Sequence, residues 1–128
     1  MRCARKESRM PTTKISPEVY RQFFDPFQTE LGEWGDKTFP RSDAKSVASH
    51  FEEESKELVF SVLDNQSASD ESIREEAADC ALLLFHLAHK MGFSLFAAIN
   101  AKFEINKNRK WESESGDKGY FKHIPDEA

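Results

Sequence analysis

The sequence has little cysteine and no long apolar run. Two cysteines occur in 128 residues; Cys3 lies in a basic N-terminal segment and Cys80 in an apolar one, an arrangement that does not suit a disulfide framework. No stretch reaches the ~18 apolar residues of a membrane span, and the N-terminus lacks the apolar stretch of a signal peptide. We therefore expect a protein of the reducing cytoplasm that has no membrane partner.

Strand-like alternation and internal repeats are also missing, and the signals that are present are those of helix ends. Residues 1–14 are expected to form a basic flexible arm, followed by one all-α domain over residues 15–128. A helix should begin at Ser16-Pro17 and break or kink at Asp25-Pro26, and residues 27–40 should form a short helix that leads into an aromatic-rich loop. Three further helices are predicted over residues 44–63, from about 69–71 to 90, and from 95 to about 109.

Charge is distributed unevenly along the chain. Residues 1–14 carry five basic side chains and one acid, residues 43–79 carry eleven acids and three bases, and residues 102–110 carry four bases and one acid. The acidic block coincides with two predicted helices, so its carboxylates are the first candidates for chemistry.

Several of these carboxylates fall on helix faces that are otherwise apolar. At about 100° per residue, Glu54 lies roughly 20° from Val47 in the core stripe of its helix, and Glu57 lies on the shoulder of that stripe. Glu76 and Asp79 repeat the pattern one turn apart in the next helix. Inward carboxylates need a cationic partner. Because thiolates and well-spaced histidines are missing, the cation expected is Mg²⁺ or Mn²⁺.

Other chemistry-bearing residues have more ordinary explanations. Glu52 and Glu53 fit a solvated helix face, Cys80 fits packing, and His86 and His89 fit a core or an interface. The basic residues near the end of the last helix suit either a phosphate-binding role or the helix dipole equally well. The second half of the third helix is apolar on every side, which favours burial in a bundle or in a subunit interface.

Two motifs in the acidic block resemble a known family. Residues 53–57 (EESKE) and 76–79 (EAAD) are similar to the EExxE and ExxD signature of the MazG-like all-α nucleoside triphosphate pyrophosphohydrolases. Residues 34–39 (WGDKTF) and 102–111 (KFEINKNRKW) further resemble the dATP/dGTP diphosphohydrolase branch that includes MazZ-like enzymes. The resemblance covers about residues 27–111. It implies a MazG-like four-helix core, completed by assembly into a homodimer or homotetramer.

The resemblance also implies an activity and roles for residues. The reaction is metal-dependent hydrolysis between the α and β phosphates, with Glu54, Glu57, Glu76 and Asp79 as metal ligands. Glu53 and Glu54 are the catalytic candidates, and Glu53 is expected to orient the attacking water. The substrate-binding candidates are Lys102, Asn106, Arg109 and Lys110 for the phosphates, and Trp34 and Phe39 for the base.

A purine deoxynucleoside triphosphate is the expected substrate, with dGTP favoured over dATP. In a phage, acting in the host cytoplasm, the dGMP product would feed 2-aminoadenine nucleotide synthesis. One alternative keeps the fold and changes the substrate to dATP or to non-canonical nucleotides, as a house-cleaning enzyme. The other is a non-catalytic helical interaction module whose basic arm binds nucleic acid, but it leaves the inward carboxylates unexplained.

Overall fold

The computed structural model describes residues 15–64 and 69–126, and these residues form an all-α fold. The basic arm predicted over residues 1–14 and most of the turn predicted after residue 63 lie outside the described residues. The helical elements are α1 (Pro17–Val19), a π-helical turn (Tyr20–Phe24), α2 (Asp25–Thr38), α3 (Ala44–Leu63), α4 (Asp70–Met91) and α5 (Leu95–Asn108).

The first helical segment differs from the sequence-based prediction. Asp25-Pro26 does not end the helix; the backbone widens into the π-helical turn and then continues directly as α2, with the proline in its first turn. In a continuous helix a proline leaves a carbonyl of the preceding turn without its N–H partner, and its ring crowds that turn; the wider π-helical turn before Pro26 accommodates both effects. The predicted aromatic loop is also shorter than expected, since Trp34 and Gly35 lie inside α2, which runs to Thr38.

The three long helices begin and end where the capping signals predict. The Asp43 side chain accepts a hydrogen bond from the Ser46 N–H at 2.8 Å, and the Ser46 hydroxyl accepts one from the Asp43 N–H at 2.9 Å, which forms a capping box at α3. Ser69 and Ser94 cap α4 and α5. Gly92 ends α4 with a φ of 76°, a conformation that favours glycine.

Helix α4 is the centre of the bundle. It packs most extensively against α3 and next against α2, whereas α5 makes smaller contacts with α2 and α4. Gln28 of α2 fixes the α4–α5 connection, because its side chain donates to the Phe93 carbonyl at 2.7 Å and accepts from the Leu95 N–H at 2.9 Å. The Phe24 and Phe96 rings stack at 3.8 Å, which attaches α5 to the π-helical turn.

A single protomer leaves much apolar surface uncovered. Among the described residues, the hydrophobic residues that are buried are Val47, Cys80 and Ala88. On α4, Leu84 is 36 % exposed and Ala77 and Ala81 are exposed on the same side of the helix. A single chain therefore leaves part of the apolar surface of α4 exposed.

The C-terminal segment folds back on the end of α5. Trp111 and His123 form an isolated antiparallel β-bridge, which the sequence did not predict, and the Trp111 indole donates to the Asn106 carbonyl at 2.9 Å. The apolar side chains near the end of the chain, Tyr120, Phe121 and Ile124, are about half exposed.

Within residues 15–64 and 69–126, no single helix has both the length and the apolar character to cross a membrane; α4 and α5 together meet the criteria, but they are bent by 106° at the break between them.

Candidate functional site

Helices α3 and α4 bring three of the predicted metal ligands together. Glu54, Glu76 and Asp79 each place a carboxylate oxygen within 4.8 Å of the other two. The Glu54 side chain is 18 % exposed, Glu76 is half-buried, and Asp79 is exposed at the rim. Residues far apart in the sequence thus form one cluster of oxygen donors, the set that hard divalent cations prefer.

The electrostatics of Glu76 fit a cation in this cluster. Its Oε2 atom is buried and has no hydrogen-bond partner among the described residues. Burial, followed by the charges of Glu57 and Glu54, raises the pKa of the Glu76 carboxyl above its ordinary value. A carboxylate that is desolvated and surrounded by like charge is stabilised by a bound cation, so the residues present fit a divalent metal.

The remaining predicted acids lie beside the cluster. Glu57 and Glu53 line a shallow groove that also includes Glu76. Glu57 is outside the tight oxygen cluster but close enough to influence the pKa of Glu76. The roles of Glu57 as a ligand and of Glu53 in orienting water stay predictions. Cys80 is buried and free, and burial together with the nearby carboxylates raises the pKa of its thiol, which fits a packing role.

A largely apolar pocket of about 420 Å³ opens beside the carboxylates. Glu54 and Asp79 belong both to the cluster and to the pocket lining. Trp34 and Phe39, the candidates for base binding, form one wall, where their rings meet edge to face at 5.8 Å. The other lining residues are Leu31, Gly35, Ser42, Ser46, Val47, His50, Leu82, Leu83 and His86.

A group of polar residues behind the pocket, of which His86 lines it, was not found from the sequence. Asp36 of α2 joins three residues of α4: its Oδ1 lies 3.2 Å from His86 Nε2 and 2.5 Å from Lys90 Nζ, and its Oδ2 lies 3.1 Å from His89 Nε2. Hydrogen bonds from Lys90, His86 and His89 hold the pKa of the Asp36 carboxyl far below its usual range. We call these four residues the Asp36 clasp.

Two glycines allow the clasp to form. A Cβ at Gly32 would lie 2.1 Å from His89 Cγ, and a Cβ at Gly35 would lie 2.8 Å from His86 Cε1. The spacing of three residues between the glycines matches the spacing of three between the histidines. The matching i, i+3 spacings were the signal in the sequence that could have predicted this contact, because residues three apart lie on the same face of a helix.

The structure also gives Glu54 a partner that was not predicted. His50 precedes it by one helical turn, and its Nε2 lies 3.1 Å from Glu54 Oε1. The i, i+4 spacing places both side chains on the pocket side of α3. His50 therefore orients a carboxylate of the cluster.

The phosphate-binding candidates on α5 and directly after it do not line the pocket of the protomer to which they belong. Within the described part of one chain, none of the pocket residues comes from residues 95–110. Arg109 donates to Asn106 Oδ1 at 3.3 Å, and Lys102 and Lys110 are exposed. The phosphate-binding role of Lys102, Asn106, Arg109 and Lys110 stays a prediction.

Comparison with known proteins shows the family. Residues 27–128 match the sequence model described as dATP/dGTP pyrophosphohydrolase. The chain belongs to this family. It is an all-α, MazG-like nucleoside triphosphate pyrophosphohydrolase, as the sequence motifs predict. No curated protein matches the chain.

A solved structure is similar to this pyrophosphohydrolase over most of both chains. It is the MazG-like pyrophosphohydrolase of cyanophage S-2L, bound to dGDP and three catalytic Mn²⁺ ions per active site. The two proteins are 27 % identical, with a TM-score of 0.61 over 80 % of this chain and 94 % of the other. The match confirms the predicted fold, and the family confirms dATP/dGTP-type nucleotides as the substrate class.

Proposed function

We propose that this enzyme hydrolyses a purine deoxynucleoside triphosphate, dGTP in preference to dATP, to the monophosphate and pyrophosphate in a reaction that depends on Mg²⁺ or Mn²⁺. The observation that carries the proposal is the junction of two sites: Glu54 and Asp79 belong both to the carboxylate cluster and to the apolar pocket. A base in the pocket places its phosphates at the cluster.

The carboxylates Glu54, Glu76 and Asp79 would hold the metal, with Glu57 beside them. Bound there, divalent ions would neutralise phosphate charge and lower the pKa of a water molecule. Glu53, which lines the groove next to Glu57, would orient that water for attack on the α-phosphorus. Such a site needs little covalent chemistry from the protein, since positioning and charge neutralisation lower the barrier.

The similar cyanophage structure supports the proposed metal dependence and the proposed purine base. The cyanophage protein is bound to dGDP and Mn²⁺ ions, and in this chain the walls formed by Trp34 and Phe39 are flat, apolar surfaces suited to a purine ring. The preference for dGTP rests on this resemblance. The role in phage 2-aminoadenine nucleotide synthesis stays a prediction.

We also propose that the enzyme works as a homo-oligomer. One side of α4 exposes the apolar residues Ala77, Ala81 and Leu84. The end of α3 also exposes apolar side chains, among them Phe60, which is 64 % exposed. Monomeric proteins rarely leave large apolar patches uncovered. A second copy would cover these helices, as the apolar α4 sequence predicts.

The test is pyrophosphate release from a panel of ribo- and deoxynucleoside triphosphates, each with Mg²⁺, with Mn²⁺ and with chelator. Metal-dependent release that is strongest for dGTP supports the proposal, and preference for dATP or a damaged nucleotide supports the house-cleaning alternative. No release under any condition contradicts it and favours the non-catalytic interaction module.

A matched pair of variants assigns the activity to the cluster. Glu54→Gln removes a carboxylate from the cluster, whereas Glu52→Gln changes an exposed residue of the same helix that pairs with Lys56. We expect turnover to be lost in the first variant and retained in the second. Equal activity of the two variants would exclude Glu54 as a ligand.

A further inference from the structure

The Ser42 side chain is unusual among the residues of the pocket. Its hydroxyl oxygen is buried and has no hydrogen-bond partner among the described residues. Its backbone N–H donates to the Phe39 carbonyl at 2.9 Å, so the backbone is fixed while the hydroxyl is left unpaired in the pocket wall. Buried hydroxyls are nearly always paired, so an unpaired one at a pocket wall has the capacity to bond a polar atom of a ligand or a water molecule.

His86 is the second polar residue of the pocket that can form a further hydrogen bond. It is 6 % exposed and lines the same pocket. Its Nε2 lies 3.2 Å from Asp36 Oδ1. The pKa of Asp36 is held far below its usual range, so its ionised carboxylate only accepts hydrogen bonds and Nε2 must carry the proton. In the neutral ring, Nδ1 is then a free acceptor.

The neighbouring polar groups of the pocket are already engaged. The Ser46 hydroxyl belongs to the capping box with Asp43, and His50 is bonded to Glu54. Glu54 itself belongs to the carboxylate cluster. The bond to Glu54 places the His50 imidazole at the carboxylate cluster. Ser42 and His86 are the hydroxyl and the imidazole that lie away from the cluster, beside Phe39 and Gly35 of the pocket wall.

We propose that Ser42 and His86 read the polar edge of the purine, with His86 Nδ1 accepting a hydrogen bond from an exocyclic amino group and the Ser42 hydroxyl bonding a polar atom of the same edge. Asp36 is a positioning residue, because its bond to Nε2 sets the tautomer of His86. This inference rests on the proposed function, since it takes the pocket as the base site. It adds a means of selecting amino-bearing purines, because a site with unpaired polar groups rejects analogues that cannot satisfy them.

The experiment compares bases that differ by one amino group: dGTP with dITP, and dATP with the triphosphate of purine deoxyriboside. We expect the wild-type enzyme to prefer the amino-bearing member of at least one pair about tenfold in kcat/KM, mainly through KM. His86→Gln keeps an amide near the Nε2 position to bond Asp36 but removes the Nδ1 acceptor. We expect this variant and Ser42→Ala to bring the ratio towards one.

His89→Gln is the matched control. His89 bonds the other oxygen of Asp36 but does not line the pocket, so the wild-type ratio should be retained. Ser42→Ala breaks no hydrogen bond of the described structure, and its thermal stability should equal or exceed that of the wild type. The Ser42→Ala variant therefore tests the proposal even if the His86→Gln protein does not fold.

Binding separates this inference from the proposed function. Calorimetry with Mn²⁺ measures the dissociation constants of two pairs of diphosphates: dGDP with dIDP, and dADP with its amino-free analogue. These constants report base recognition without turnover. An enzyme that binds amino-bearing bases selectively through Ser42 and His86 but releases no pyrophosphate would contradict the proposed function alone. Equal wild-type affinity within both pairs, or an unchanged ratio in Ser42→Ala and His86→Gln, overturns the base-reading role.

Discussion

Gly32 of α2 lies directly against the imidazole of His89 on α4, so closely that a Cβ at position 32 would be 2.1 Å from His89 Cγ. Atoms cannot share that space, and His89 would have to move away from Asp36 Oδ2, from which its Nε2 is 3.1 Å. The contact therefore sets both the separation of the two helices and the geometry of the clasp.

Gly32→Ala is expected to destabilise the protein. Alanine gains ~1 kcal/mol of helix propensity over glycine, but overpacking costs ~1–3 kcal/mol and a lost hydrogen bond adds about 1 kcal/mol. The net loss of roughly 1–3 kcal/mol is measured by urea denaturation. Gly116→Ala is the control, because the nearest atom to a Cβ there is 4.0 Å away. Equal stability of the two variants would show that α2 and α4 separate at little cost.

Glu76→Gln should have opposite effects on stability and on activity. The pKa of Glu76 is raised by burial and by the charges of Glu57 and Glu54, so in the metal-free protein its ionised form opposes folding above that pKa. Removing the charge should raise the melting temperature of the metal-free protein at neutral pH, and the gain should shrink as acid protonates the wild-type group. Pyrophosphate release should fall on the order of a hundredfold or more, since metal-ion stabilisation supplies several kcal/mol.

The exposed Glu75 on the same helix gives the control for this variant. Glu75→Gln should leave pyrophosphate release close to that of the wild type. A Glu76→Gln protein that melts at a lower temperature without metal would mean that Glu76 is held by the fold rather than by a cation.

Asp36→Asn should lower stability in a pH-dependent manner. The hydrogen bond from Lys90 is the largest cause that holds the folded-state pKa of Asp36 below its ordinary value of 3.8. The ionised Asp36 carboxylate therefore stabilises the fold fully when the pH is above the ordinary pKa of aspartate. This stabilisation is lost as the pH falls from that pKa towards the lower folded-state pKa. Chemical denaturation from pH 7 to pH 3 should show a stability deficit in the variant that narrows with acid. A constant deficit would mean that the charge of Asp36 contributes nothing.

Leu84→Glu should weaken self-association. Leu84 is 36 % exposed on the apolar side of α4 in one protomer, and a charge there cannot be buried against a second copy without several kcal/mol of desolvation. Sedimentation velocity should show an oligomer for the wild type and a smaller species for the variant. Lys118→Glu changes an exposed residue of the C-terminal segment and should sediment like the wild type. A monomeric wild-type protein would contradict the proposed assembly.

The amino-acid sequence was sufficient to predict the helices and the carboxylates that form the cluster. Caps at Asp43, Ser69 and Ser94 act through bonds to residues three positions along, so local chemistry was enough to place α3, α4 and α5. Helical periodicity likewise predicted that Glu54, Glu76 and Asp79 lie on facing sides of α3 and α4, where the structure brings their carboxylate oxygens together. The family motifs then predicted the fold and the enzyme class that the comparisons confirm.

Contacts between helices could not be predicted from the sequence and became visible in the folded chain. Asp36 meets His86 and His89 across fifty and fifty-three residues of sequence, and no local signal specifies which helix faces meet. The continuation of the helix through Pro26 likewise needed the π-helical turn, which packs through Phe24 on Phe96 of α5. Local bonding fixes where helices begin and end; the packing of α2 against α4 fixes which polar groups enter the pocket and which remain unpaired there.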